Sequence, residues 1–245
     1  MHSHSLPEKS SLLRAGQVVG SVVDGASLEL AVSSQAGELC DIVEFRADAL
    51  SAYLPQALDA MHQCPVPALL TVRSAAEGGG TGIESPARRE EIFMLLLAGA
   101  DLVDLEISAL PAFSQVIAQA AAHRIPVLAS FHNFSGTPDL AELQTLIAQA
   151  RDAGASAVKF ATLLRNSSDL ATLAKLQESA TIPLATMGMG PLGRVSRLLL
   201  ANLGSVLNYG YLDQPTIPGQ WPAARLRALI KELRGEGSGP SLPPS

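Results

Sequence analysis

Eight short, apolar, β-prone runs recur along this chain, and a helix-like segment follows each of them. The runs are QVVGSVV (17–23), DIVEFRA (41–47), PALLTVR (67–73), DLVDLEI (101–107), PVLASFH (126–132), SAVKFAT (156–162), PLATMGM (183–189) and SVLNYGY (205–211). Helical patterning covers roughly 28–37, 50–62, 84–99, 110–123, 138–153, 168–179, 191–203 and 221–234. Thr137-Pro138 reads as an N-cap with proline at the first helical position. Ser168-Asp169, followed by Leu170, Leu173 and Leu176, reads as a cap leading into an apolar stripe. Near-continuous apolar strands separated by helices imply a parallel sheet covered by those helices. Eight such units in 245 residues predict an α/β fold, a (β/α)8 TIM barrel, which takes about 250 residues. A doubly wound open sheet is the alternative, but no G-x-G-x-x-G follows the first strand. The barrel is expected as a single domain over 17–235. Residues 1–16 read as a flexible N-terminal segment, and the Gly/Ser/Pro-rich end, 236–245, as a disordered tail.

Composition narrows the function classes. A net charge of −6 without a dense Lys/Arg block argues against nucleic acid as a partner. No apolar run reaches the roughly 18 residues of a membrane span, and the N-terminus MHSHSLPEKSS has no apolar signal core. Cys40 and Cys64 form neither a metal spacing nor a disulfide framework, which fits a reduced, cytoplasmic setting.

The informative polar residues lie at the ends of the strands, where barrel chemistry gathers. Lys159 stands inside SAVKFAT, and it is the one lysine of four in a strand. Lysine is rarely buried unless paired. Either it pairs with a buried acid such as Glu106 or Glu44, or its amine reacts. His132 ends the preceding strand, about 4.8 Å away, and a histidine there can move protons near neutral pH. The two together favour reaction: desolvation and nearby arginines would leave a nucleophilic amine able to form a Schiff base. Glu44 and Arg46 share one strand face, as a hydroxyl-binding pair or a structural ion pair. Asp104 and Glu106 do likewise, and are expected to partner a buried cation rather than a metal. Arg73 ends the third strand, and the loop AAEGGGTG after it carries Glu77. That loop either brings backbone close to a ligand or is merely flexible. Arg194 and Arg197 open a helix, where cations are disfavoured unless an anion binds between them; a solvated Arg194 is the plainer reading. QPTIPGQW (214–221) is a lid or an ordinary connection.

These segments resemble a known family. VEFRAD, TVRSAAEGG, VDLE, SFHNFSGTP, AVKFAT, MGMGPLGRVSR and TIPGQ occur in the order found in type I 3-dehydroquinate dehydratases, the Schiff-base enzymes of the shikimate pathway of aromatic amino acid biosynthesis. The resemblance runs from about 17 to 235. It implies a (β/α)8 barrel and a syn elimination of water from 3-dehydroquinate to give 3-dehydroshikimate. Lys159 would form the imine, His132 would donate and accept the proton, and Glu77 would support His132. Glu44, Arg46 and Arg73 would hold substrate hydroxyls, Arg197 the carboxylate, and Thr216 and Gln220 would act from the lid. No cofactor and no metal are implied, and a homodimer is the expectation.

The chain departs from the family at two positions. Asn133 stands where aspartate commonly follows the histidine, which puts local charge support in question. Thr216 replaces a usual serine and keeps the hydroxyl. The length leaves no room for a second catalytic domain, as in fused forms. Two other readings stay open: another Schiff-base, aldolase-like lyase, and a non-catalytic paralogue. The first would not need the charged set Glu44, Arg46, Arg73 and Arg197, and the second would be marked by loss of Lys159 or His132, both of which are present.

Overall fold

The computed structural model describes residues 12–80, 83, 85–215 and 217–236. Its strands fall inside the eight apolar runs apart from one added residue at the ends of β5 and β6: β1 Gln17–Val22, β2 Ile42–Arg46, β3 Ala68–Thr71, β4 Leu102–Glu106, β5 Val127–Asn133, β6 Ala157–Leu163, β7 Leu184–Met189 and β8 Leu207–Tyr211. All pairs are parallel, in the order β7-β6-β5-β4-β3-β2-β1-β8. The helices between them are α1 Gly25–Val32, α2 Ala36–Leu39, α3 Leu54–Gln63, α4 Pro86–Leu96, α5 Ser114–Ala122, α6 Leu140–Asp152, α7 Ser167–Glu178, α8 Gly193–Asn202 and α9 Ala223–Leu233.

Two helix starts differ from expectation. Asp139, not Thr137, caps α6, its side chain accepting from Glu142 N at 2.8 Å. Thr137 instead bonds Thr162 and Leu163 at the end of β6. At α7 the cap is Asn166, with Asp169 completing the capping box. In both cases a side chain two positions away offers the better acceptor to the free N–H groups of the first turn.

Alternation along the strands builds two apolar layers. Outward residues such as Val43, Phe45, Val103, Leu105, Val158 and Phe160 pack under the helices. Inward residues at the strand starts, including Val19, Ile42, Leu69, Leu102, Leu128, Ala157 and Leu207, fill the barrel. Leu12 is buried against this inner cluster, so the chain joins the barrel before residue 17. Residues 1–11 and 237–245, most of the two terminal segments, lie outside the described residues.

The barrel closes with a seam. β7 and β8 are the two ends of the strand order. Val206 N donates to Leu184 O at 3.0 Å, and above that point side chains take over. Ser205 Oγ accepts from Thr186 N at 3.1 Å and Ser196 Oγ from Gly188 N at 3.0 Å. Arg197 donates to Gly188 O on β7 and Tyr209 O on β8. Backbone groups that a ladder would have paired are thus satisfied from α8 and the turn that follows it.

Candidate active site

Further along six of the eight strands, β1 to β6, the inward positions turn polar. Ser21, Glu44, Thr71, Asp104, Ser130 and Lys159 are all buried. Lys159 Nζ lies 2.8 Å from Asp104 Oδ2 and 3.7 Å from Glu44 Oε1. Its acid partners are therefore Asp104 and Glu44; Glu106, the other candidate, is engaged elsewhere. Carboxylates rather than arginines are the nearest charges to the amine. Glu44 is held by Ser21 Oγ at 2.7 Å and Thr71 Oγ1 at 3.0 Å.

His132 stands one inward position beyond Ser130, which pairs with Lys159 across β5 and β6. Its Nδ1 lies 2.9 Å from Glu77 Oε2, and its backbone N–H donates to the same oxygen at 3.1 Å. Glu77 gets there because the loop after β3 folds back tightly. Gly78 has φ +82, and a Cβ on Gly79 would sit 2.2 Å from Arg73 O. Gly78, Gly79 and Gly80 line the same pocket as His132 and Lys159, so the loop brings backbone to the cavity. Asn133 turns away: its Oδ1 accepts from Ser135 and Gly136 and holds the turn.

Arg73 sits just past β3 and reaches across the barrel. It meets Asp104 at 2.9 Å, Ser130 Oγ at 2.7 Å, and Glu77 and Glu106 at 3.8 Å each. Asp104 thus partners two buried cations, Arg73 and Lys159. Glu106 is fastened to Arg89 of α4 at 3.0 Å and accepts from Ser74 N at 2.6 Å. Arg46 does not pair with Glu44, its neighbour on the strand face. It makes a two-point contact with Asp48, through Nε at 3.0 Å and Nη2 at 2.8 Å.

Arg197 is 1% exposed, yet its bonds go only to carbonyls: Tyr209, Gly188, Gly193 and Gly219, at 2.7–3.1 Å. Among the described residues it has no acid partner, and it lines the pocket. Gln220 is buried at the same rim and accepts from Ile217 N at 3.4 Å. Thr216 lies outside the described residues. Arg194 points outward, stacked over Trp221 with its guanidinium 5.0 Å from the ring centroid, and does not line the pocket that Arg197 lines. The whole pocket has a volume of about 290 Å³.

The profile of the type I 3-dehydroquinase family matches residues 18–236. The chain belongs to this family. A type I 3-dehydroquinase is a 3-dehydroquinate dehydratase, a hydro-lyase. The 3-dehydroquinate dehydratase of Methanothrix thermoacetophila is 32% identical over 210 residues, covering 85% of this chain and 89% of that one. The bifunctional chloroplastic 3-dehydroquinate dehydratase/shikimate dehydrogenase of Arabidopsis thaliana is 30% identical over 222 residues, 89% of this chain; the chain spans 36% of that longer protein. The crystal structure of 3-dehydroquinate dehydratase from Geobacillus kaustophilus superposes with a TM-score of 0.81 at 26% identity, covering 90% of this chain and 91% of that one. No helix among the described residues is long and apolar enough to cross a membrane.

Electrostatics in this 3-dehydroquinase pocket separate the acid–base groups. Burial, then the Arg73 and Lys159 cations, hold the His132 imidazole well below its ordinary 6.5, so it is neutral near pH 7. Burial pushes Glu77 up to about 7 against the pull of Arg73, with Glu106 and Asp104 adding to the rise. Burial alone would raise Asp104, but Arg73 and Lys159 override it and hold that carboxyl below its usual range. Burial without an acid partner brings Arg197 down to about 10.

Several site residues escape a reading of the sequence. Asp48 carries no pattern of its own beyond VEFRAD, yet it also accepts from Arg73 N and Gly80 N. Arg89 looks like one more helix arginine. Ser130 and Thr71 look like ordinary strand residues. Tyr209, whose ring lies beside Lys159, is visible only as an inward position on β8, a signal that the alternation in SVLNYGY carries.

Proposed function

We propose that the chain dehydrates 3-dehydroquinate to 3-dehydroshikimate through an imine on Lys159. The observation that carries this reading is one pocket lined by the Lys159 amine, the His132 imidazole and buried Arg197, which has no acid partner among the described residues. To attack, Lys159 must present an uncharged amine, and the proton it sheds is taken up later by the departing carbonyl oxygen. The nitrogen lone pair then forms a C–N bond to the substrate ketone carbon. The carbonyl oxygen takes up two protons and leaves as water, so nitrogen keeps one proton and a positive charge. That iminium acidifies the adjacent carbon.

His132 removes the proton there, leaving a neutral enamine. With Nδ1 held by Glu77, Nε2 is the ring nitrogen free of bonds to the described residues. The enamine electrons then expel the hydroxyl, and the imidazolium returns its proton to that oxygen, so water leaves and the iminium re-forms. Hydrolysis releases product and restores Lys159. One group serving as base and then acid on one face accounts for a syn course. Arg197 takes the carboxylate, while Glu44, Arg46 and Arg73 shape the pocket and bind hydroxyls. Gln220, with Thr216, acts from the 214–221 loop. An aldolase-like lyase would have no use for the charged set Glu44, Arg46, Arg73 and Arg197. The free cysteines Cys40 and Cys64 suit a cytoplasmic setting, and a homodimer follows from the family resemblance.

The test is borohydride reduction in the presence of 3-dehydroquinate, followed by peptide mapping. The adduct is expected on Lys159. In His132→Ala the adduct should still form while turnover falls by about 10²–10⁴-fold or more. An adduct on another residue, or none during turnover, would overturn the imine.

A further inference from the structure

Tyr209 has no part in the chemistry so far, yet its ring is packed against the reacting nitrogen. Lys159 Nζ lies 4.1 Å from the Tyr209 ring centroid. Both residues are buried, at 3% and 5% exposed, and both line the pocket. The phenol oxygen has no hydrogen-bond partner among the described residues. Burial, together with Glu44 and Asp104, pushes that hydroxyl well above its ordinary 10, so it stays protonated and the ring is neutral. A neutral ring cannot act as a base here, but its face attracts a cation.

We propose that the Tyr209 ring is a catalytic cation platform that stabilises the positively charged nitrogen of Lys159 after it condenses with substrate. The inference rests on the imine reading above. Its physical basis is the count of N–H donors. The ammonium has three, one of them given to Asp104 at 2.8 Å, with Glu44 3.7 Å away held by charge alone. The iminium keeps one, fixed in the plane of its double bond, so it cannot serve both acids. A ring face attracts the charge itself and requires no N–H, so its contribution outlasts the condensation. Desolvation strengthens it, because little water competes at this depth.

The backbone of Tyr209 makes the platform rigid. It pairs with Val19 on β1, and its carbonyl accepts from Arg197 Nε at 3.1 Å. The same strand residue therefore ties the ring beneath the imine to the arginine that takes the carboxylate. Substrate held at Arg197 is registered against the nitrogen through one stretch of β8.

The test compares ring face, hydroxyl and shape. Tyr209→Phe keeps the face and serves as the reference. Tyr209→Leu should fall a further 10- to 30-fold or so below it in kcat/KM. It should also give a smaller fraction of Lys159 trapped by borohydride at saturating 3-dehydroquinate. A series of fluorinated phenylalanines at 209 keeps the shape and drains the ring face. Trapping and turnover should decline stepwise with each added fluorine, including where Tyr209→Leu fails to fold. A purely structural ring would not respond in that graded way. Equal values for Tyr209→Phe and a folded Tyr209→Leu, or no trend across the fluorinated series, would overturn the proposal. Absence of any adduct in the unaltered protein would instead remove the imine itself, a result distinct from failure of the platform.

Discussion

Glu77 Oε2 accepts two bonds from His132, one from the ring at 2.9 Å and one from its own backbone N–H at 3.1 Å. This fixes the imidazole in position and in tautomer, and it joins the ionisation of the two residues. Glu77 titrates near 7 and His132 well below 6.5. Activity needs the carboxylate as acceptor and the imidazole as base. We expect kcat to rise as pH increases through about 7. Glu77→Gln should lower kcat and abolish that limb, leaving only the lower-pH dependence of His132. A pH–rate profile with the same limb in Glu77→Gln would assign it to another group.

The same raised carboxyl makes a stability prediction. Its folded value of about 7 exceeds the ordinary 4.5. Between those values the native state holds a proton that the unfolded chain has released. By linkage, this group's contribution to stability falls as pH rises across the window and is constant above it. Glu77→Gln should therefore gain in Tm relative to the parent on going from pH 5 to pH 8. Parallel Tm curves for the two proteins would contradict the shift.

Arg197 serves the seam and the pocket with one guanidinium. Arg197→Lys keeps the charge but offers a single nitrogen to four carbonyls on β7, β8 and the flanking loops. We expect KM for 3-dehydroquinate to rise at least roughly tenfold and unfolding free energy to drop by about 2 kcal/mol, in line with losing buried hydrogen bonds. Chemical denaturation and steady-state kinetics check the two effects separately. An altered KM with unchanged stability would limit Arg197 to binding.

Asp48 is a positioning residue with three dependants: the Arg46 guanidinium and the backbone N–H groups of Arg73 and Gly80. Asp48→Ala frees all three. Stability should fall by about 3 kcal/mol. KM should rise as Arg46 and the glycine loop lose their anchor, while borohydride trapping at saturating substrate persists. Unchanged KM would place Arg46 outside substrate binding.

Gln220 tests the 214–221 loop. Gly219, at φ +86, bends this segment, and its carbonyl accepts from Arg197 Nη1 at 3.1 Å. Gln220→Ala should raise KM by roughly 2- to 12-fold, the equivalent of one hydrogen bond of about 0.5–1.5 kcal/mol. Saturating 3-dehydroquinate should slow proteolysis in the loop. If neither changes, the loop is a static connection.

The barrel itself was legible in the sequence because strand and helix periodicity are local. VEFRAD and VDLE each display a charge every second residue and AVKFAT a single inward lysine, and that alternation survives folding unchanged. The same locality placed Lys159, His132 and Arg73 at one end of the barrel. Choice of partner is another matter. Lys159 meets Asp104, 55 positions away, instead of Glu106, because the stagger between strands decides which inward side chains lie level. Arg46 turns to Asp48 and leaves Glu44 to Ser21, Thr71 and Lys159, an outcome of the chain's turn after β2. Arg89 reaches Glu106 only because α4 packs beside β3. The cap of α6 moved from Thr137 to Asp139 because the threonine hydroxyl found β6. Sequence alone determined which residues face inward, since that depends on period. Tertiary structure alone decided which of them touch, since burial compels each charge and each hydrogen-bonding group to find whatever partner the closed barrel brings within reach.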